Sequence, residues 1–187
     1  LLTIQYRMPP EIIGFSSMYF YNKELKSNKE TADIEDPLIF IDTAGADFAE
    51  TKEDDGSIHN ERELEIIEKL LPEWKKAVKN ISFISPYAGQ VARAHKLFSD
   101  IRTSTIDAYQ GQEDEMIILS LVRSNPNGNI GFLSDYRRMN VALTRAQRKL
   151  VVIGDSATLG NDDFYRQFLD YVERVDGYKS VFEFLSL

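Results

Sequence analysis

Two spacings of apolar residues alternate along this chain. Short runs that are apolar at nearly every position, 38–41, 116–122 and 150–153, predict strands buried on both faces, and 81–85 and 103–108 read as further strands. Segments of helical spacing stand between them. Ile12, Phe15 and Tyr19 share one face of a helix that Pro9-Pro10 opens and that runs to about residue 20. Leu64, Ile67 and Leu71 mark a helix over 60–79, and others are predicted over 89–99, 134–147 and 162–175. In the fourth of these, Met139, Ala142, Leu143 and Ala146 form an apolar stripe, Ser134 is the expected N-cap, and Arg138 and Arg145 share another face. This alternation predicts an α/β domain with a mostly parallel sheet covered by helices on both faces. In such sheets ligands sit beyond the carboxyl ends of the strands.

The bulk properties narrow the function classes. A chain of 187 residues can bury one substantial core, and no apolar run approaches the roughly 20 residues of a membrane span. An intracellular, cytoplasmic setting is expected, or a nuclear one in a eukaryote. The absence of cysteine excludes disulfides and thiolate metal sites, and His59 and His95 are too isolated to form a metal cluster. A net charge of −8 argues against a basic footprint over the whole surface, but not against a local basic channel. Much of the acid lies at 30–36 and 47–55, as solvated loop charge. The acidic, Gly-containing stretch 44–58 is expected to be a mobile insertion, and 160–187 a variable tail. The opening Leu1-Leu2-Thr3-Ile4 reads as the middle of an extended segment, so 1–187 is expected to be a single domain cut from a longer protein.

Chemistry concentrates in three segments. Gln5-Tyr6-Arg7-Met8 precedes a helix; its ring can stack on a purine and its guanidinium can hold a phosphate through two parallel hydrogen bonds. In Thr105-Ile106-Asp107-Ala108-Tyr109-Gln110-Gly111-Gln112-Glu113, Gly111 permits a tight turn from which Gln110 and Glu113 project. Asn140-Val141-Ala142-Leu143-Thr144-Arg145-Ala146 carries an arginine beside an apolar stripe. Together, and with Ile117 to Asn125 extending the match, these segments resemble the second RecA-like motor domain of superfamily 1 helicases. The branch is that of the nonsense-mediated-decay helicase, senataxin and the immunoglobulin-mu-binding helicase. The resemblance runs from Leu1 to about Leu159.

It implies a RecA-like fold of the P-loop NTPase type that works on ATP with Mg²⁺ and on single-stranded DNA or RNA. Tyr6 is implied to pack on adenine, Arg7 to reach the γ-phosphate, Glu113 to contact the nucleotide near the ribose, and Arg145 to act as an arginine finger. Thr105 is implied to touch the nucleic-acid backbone and Gln110 to couple the two sites. Ser85, Tyr87 and Gln90, in Ser85-Pro86-Tyr87-Ala88-Gly89-Gln90, carry two readings of equal weight: contacts to the strand with base stacking by Tyr87, or a helix start with a packed tyrosine. Asn60-Glu61-Arg62-Glu63 reads as a capping box, with Asn60 as cap and Glu63 reaching back.

One part of an ATPase is missing. The chain has no Gly-Lys pair, hence no phosphate-binding loop, and Asp114-Glu115 precedes its apolar strand instead of ending one. The resemblance assigns those parts, and most of the hold on Mg²⁺, to an upstream RecA-like domain of the same polypeptide. A second function class is a non-catalytic nucleic-acid-binding or regulatory module with the same fold; a Gly-Lys-Ser/Thr loop upstream separates it from the motor. The chain by itself is predicted to fold yet to hydrolyse ATP negligibly in a coupled phosphate-release assay. Robust magnesium-dependent turnover by the isolated chain contradicts that prediction.

Overall fold

Apolar side chains on both faces of each central strand set the architecture. The structure, a computed structural model, describes residues 4–28 and 34–185. In chain order it begins with β1 (Ile4–Gln5), α1 (Pro10–Phe20), β2 (Lys26–Ser27) and β3 (Leu38–Asp42). A hairpin of β4 (Thr51–Lys52) and β5 (Ile58–His59) leads to α2 (Glu61–Ala77), β6 (Ile81–Ser85), α3 (Ala88–Leu97) and β7 (Arg102–Thr105). Next come β8 (Asp114–Ser120), a 3-10 turn (Gly131–Ser134), α4 (Tyr136–Leu143) and β9 (Ala146–Gly154). The chain closes with α5 (Ser156–Leu159), α6 (Asp163–Arg174), β10 (Tyr178–Ser180) and α7 (Phe182–Leu185).

Six strands form one sheet in the order β10-β3-β9-β8-β6-β7, and every pairing in it is parallel. Alternate residues divide between two cores. Phe40, Ile117, Leu119, Leu150 and Val152 pack with residues of α1, α4 and α6, while Ile39, Ile41, Ile118, Val151 and Ile153 pack with α2 and α3. Each such aliphatic side chain contributes about 1.5–3 kcal/mol by leaving water. The doubly covered parallel sheet is the one expected. Among the described residues, no helix is long and apolar enough to cross a membrane.

Three boundaries differ from the sequence expectation. First, Ser134 closes the 3-10 turn through its hydroxyl to Gly131 O (2.9 Å), and Asp135 caps α4 by accepting from Arg138 N (3.1 Å). Second, α4 stops at Leu143, because Thr144 folds its hydroxyl onto Asn140 O (2.8 Å) and residues from Ala146 onward pair with β8. Arg145 therefore lies beyond the helix and does not share a helix face with Arg138. Third, β7 ends at Thr105, whose carbonyl accepts from Tyr109 N (3.0 Å) and turns the chain. Residues 44–58 contain most of the β4–β5 hairpin, which ends at His59, and bury Phe48, with the Arg62 guanidinium 4.9 Å from its ring centroid. The tail takes part in the fold: β10 is an edge strand on β3, and Phe164 of α6 packs among Phe15, Tyr19 and Tyr136.

A buried polar network braces the carboxyl rim of the sheet. Asn60 caps α2 as expected, accepting from Glu63 N (3.2 Å). Glu63 does not reach back to complete the box. Its fully buried carboxylate instead accepts from Ser120 Oγ (2.5 Å) and from Val122 N (3.2 Å). Gln90 joins the same network, accepting from Asn60 N (2.8 Å) and donating to Asn60 O (3.0 Å) and Ser120 Oγ (2.9 Å). Val122 sits at φ +70°, a strained setting for a β-branched residue. Glu63 and Asn60, whose Nδ2 donates to Val122 O (3.2 Å), hold both of its backbone groups.

Burial pushes the Glu63 carboxyl up from the ordinary 4.5 to about 8, against the lowering effect of its hydrogen bonds to Ser120 and Val122. Between these values the folded protein keeps a proton that the unfolded chain releases. The contribution of Glu63 is therefore fully present below about 4.5 and is lost as the pH rises towards about 8. Urea denaturation at the two ends of that window is expected to show stability falling with pH, by an amount on the order of a few kcal/mol. Glu63→Gln flattens the dependence. An identical pH dependence in wild type and variant contradicts this assignment.

Candidate functional site

Gln5 shapes the first motif. Its side-chain oxygen accepts from Arg7 N and Met8 N (2.8 Å each) while its amide donates to Met8 O (2.8 Å), so one residue closes the turn at 5–8. Met8 is buried beneath this turn, and Tyr6 projects from it with 71% of its surface exposed. Pro9 and Pro10 then start α1, where a missing N–H costs nothing.

Arg7 ion-pairs with Glu113 through Nε and donates from Nη1 to Thr144 O (3.4 Å). Glu113 also accepts from Gln147 Nε2 (2.8 Å). Arg145 donates from Nε to Val141 O (2.9 Å) and from Nη1 to Gln112 O (3.5 Å). The three motifs thus converge at one point, immediately before β8 and β9. Burial first, and then the nearby Arg7 charge, push the Arg145 guanidinium below its ordinary value. Two like charges facing one carboxylate beside an exposed ring form a site suited to an anionic, ring-bearing ligand.

This point is the amino rim of the sheet, not the carboxyl rim where the general rule for open α/β sheets places ligands. Thr105 and Ser85 stand at the other rim, in register with each other at the ends of β7 and β6. Residues 106–113 join the two rims. They run from the carboxyl end of β7 back to the amino end of β8, with Ile106 and Tyr109 buried in the core that holds α4. The Tyr109 hydroxyl donates to Asp114 (2.7 Å), which also accepts from Ser82. Gly111 turns this segment at φ +82°. Gln110 lines a cleft of about 300 Å³ together with Arg137 and Arg138, and Arg138 is paired with Asp107 (3.1 Å) across it.

The candidates at 85–90 are placed differently from one another. Ser85 and Gln90 are fully buried, Gln90 within the network around Glu63. Tyr87 is 4% exposed, and its phenolic oxygen receives hydrogen bonds from Phe132 N (3.2 Å) and Arg123 Nη1 (3.3 Å). Sequence reasoning gave Arg123 no role of its own. It is buried in an ion pair with Glu50 (2.9 Å), and Glu50 also accepts from Ser124 N and Asn125 Nδ2. Its cues in the sequence were its place just after the largely apolar run 116–122 and inside the Ile117–Asn125 stretch that extends the match.

A family described as an AAA domain matches residues 1–157. DNA polymerase alpha-associated DNA helicase A of Saccharomyces cerevisiae is 37% identical over 84% of this chain and 28% of its own length. DNA-binding protein SMUBP-2 of Mus musculus is 33% identical over 100% of the chain and 21% of its own length. The Regulator of nonsense transcripts 1 homolog of Drosophila melanogaster is 33% identical over 91% and 16%. The chain thus spans less than a third of the length of each of these relatives. Among solved structures, the C-terminal domain of a possible DNA helicase from Lactobacillus plantarum WCFS1 shares the fold, with a TM-score of 0.54 at 9% identity over 94% of this chain and 98% of that one. With its motifs, their convergence and these relatives all in agreement, the chain belongs to the AAA-domain family, as a second RecA-like domain of the superfamily 1 helicase branch.

Proposed function

We propose that this chain is the C-terminal motor half of an ATP-dependent DNA or RNA helicase, completing an ATP site and a single-strand track with an upstream RecA-like domain of the same polypeptide. The observation that carries the proposal is the convergence of Tyr6, Arg7, Glu113 and Arg145 at the amino rim. Tyr6 offers its open ring to the adenine. Arg7 exchanges its pairing with Glu113 for a phosphate, which leaves the carboxylate to the ribose hydroxyls. Arg145 offsets the charge that develops as the phosphoryl group transfers. Mg²⁺, held mainly by the upstream domain, supplies charge neutralisation of the phosphates. A site with two arginines and no phosphate loop gains most when the cleft closes on a triphosphate, so closure depends on the terminal phosphate.

For the strand we assign Thr105 and Gln110 at the surface, beside the Arg137–Arg138 cleft. Ser85, Tyr87 and Gln90 act from beneath, because their polar atoms are engaged inside the protein. The non-catalytic alternative is not favoured, since the relatives are named as helicases.

Steady-state ATP turnover by the complete polypeptide is expected to rise with single-stranded DNA or RNA. In Arg145→Ala it falls by on the order of 10³-fold or more, as with other arginine fingers. Arg145→Lys restores little, because one ammonium cannot reproduce the guanidinium fork. Undiminished turnover in Arg145→Ala defeats the assignment.

A further inference from the structure

Phe132 is an apolar side chain placed where folding gives it no cover. It is 61% exposed, yet its neighbour Leu133 is fully buried and the loop around both is pinned throughout. Asn125 and Asn129 exchange hydrogen bonds (2.9 Å each), and Asn129 Oδ1 accepts from Gly131 N (2.9 Å). Ser134 Oγ returns to Gly131 O, and Leu133 O accepts from the buried Tyr165 hydroxyl (2.7 Å). Gly131 lies at φ +52°, and a Cβ there would stand 2.0 Å from Arg123 Nη1, so only glycine allows this turn.

Beneath the exposed ring lies a second one. Phe132 stacks on Tyr87 with centroids 5.4 Å apart and planes 29° from parallel. Tyr87 is fixed by hydrogen bonds with Arg123, Phe132 N and Ile130 O, and the Arg123 guanidinium lies 6.0 Å from its ring centroid. The result is a rigid pile of a cation, a buried ring and an open ring. It stands at the carboxyl rim, two residues on from the Ser85 that pairs in register with Thr105.

We propose that the outer face of Phe132 is a stacking platform for a nucleobase of the bound single strand. Tyr87, for which the sequence left base stacking and a packed tyrosine equally open, is the buttress that holds the platform flat. The ligand class is a single-stranded nucleic acid, read without regard to sequence, since every base offers a π face. A pre-formed platform costs little ordering entropy on binding. The inference rests on the motor reading above and extends it to a residue outside the three motifs.

The test is fluorescence-anisotropy titration of the complete polypeptide with labelled oligothymidylate, oligouridylate and an abasic strand of equal length. Phe132→Ala is expected to weaken binding to both base-bearing strands by about 5- to 150-fold, the equivalent of about 1–3 kcal/mol per stacked base. Phe132→Trp retains the affinity and Phe132→Leu does not. On the abasic strand, wild type and Phe132→Ala bind alike. Equal affinity of wild type and Phe132→Ala for the base-bearing strands overturns the platform while leaving the motor reading intact. So does an equal loss on the abasic strand, which places the contact elsewhere than a base. A fall in strand-free ATP turnover with unchanged strand affinity assigns the ring to a domain interface and likewise overturns it. Failure of the wild type to bind any strand defeats the motor reading, and the platform with it.

Discussion

A parallel sheet buried on both faces leaves chemistry only its two rims. Every other feature of this chain follows from that constraint. The central strands place aliphatic residues alternately in one core and the other, so a polar group within the sheet must be paired or moved to a strand end. Arg7, Glu113 and Arg145 gather at the amino ends of β8 and β9, while Ser85, Thr105 and Arg123 lie at the carboxyl ends of the strands. The two groups are separated by the length of the sheet. One of the connections that join them, 106–113, runs back between parallel strands without forming a helix. Its anchor is Tyr109, whose ring is buried and whose hydroxyl is fixed on Asp114.

The rims differ in what their electrostatics allow. At the amino rim Arg7 pairs with Glu113 close to the Arg145 guanidinium, and the groups are exposed or half-buried, so a competing anion can replace the internal pairing. At the carboxyl rim the Arg123–Glu50 pair is buried and further hydrogen-bonded, and removing either partner would leave a charge stranded inside the protein. One rim is therefore built to exchange partners and the other to stay fixed. The strained Val122 belongs to the fixed side: Glu63 and Asn60 hold the turn that delivers Arg123 to its place.

Much of this was legible from local pattern. Uninterrupted apolar runs marked the central strands, and the three motifs named the side chains that meet at the amino rim. What was hidden depends on long-range geometry. The end of α4 was overestimated because the stripe Met139–Ala142–Leu143–Ala146 is helical in period, yet pairing with β8 claims Ala146. The rim on which Arg145 lies was hidden by the helix read through residue 147, whereas β9 begins at Ala146, directly after it. Ser85 and Gln90 present the same donors whether they face water or the core. Glu63 has the spacing of a capping box, but Ser120 and Val122, remote in sequence, offer its carboxylate better partners. Phe132 carried no signal, since exposure of a single ring is a property of the folded loop.

We propose that one domain carries both a nucleotide rim and a strand rim, joined through 106–113. This arrangement is tested most directly by linkage: the affinity of the complete polypeptide for a single strand, measured with and without a non-hydrolysable ATP analogue, in wild type and in Tyr109→Phe. The account predicts a nucleotide-dependent change in strand affinity in the wild type, and a smaller change in the variant, because coupling between two sites is reciprocal and needs a shared element. Strand affinity that is the same with and without nucleotide in the wild type would contradict it.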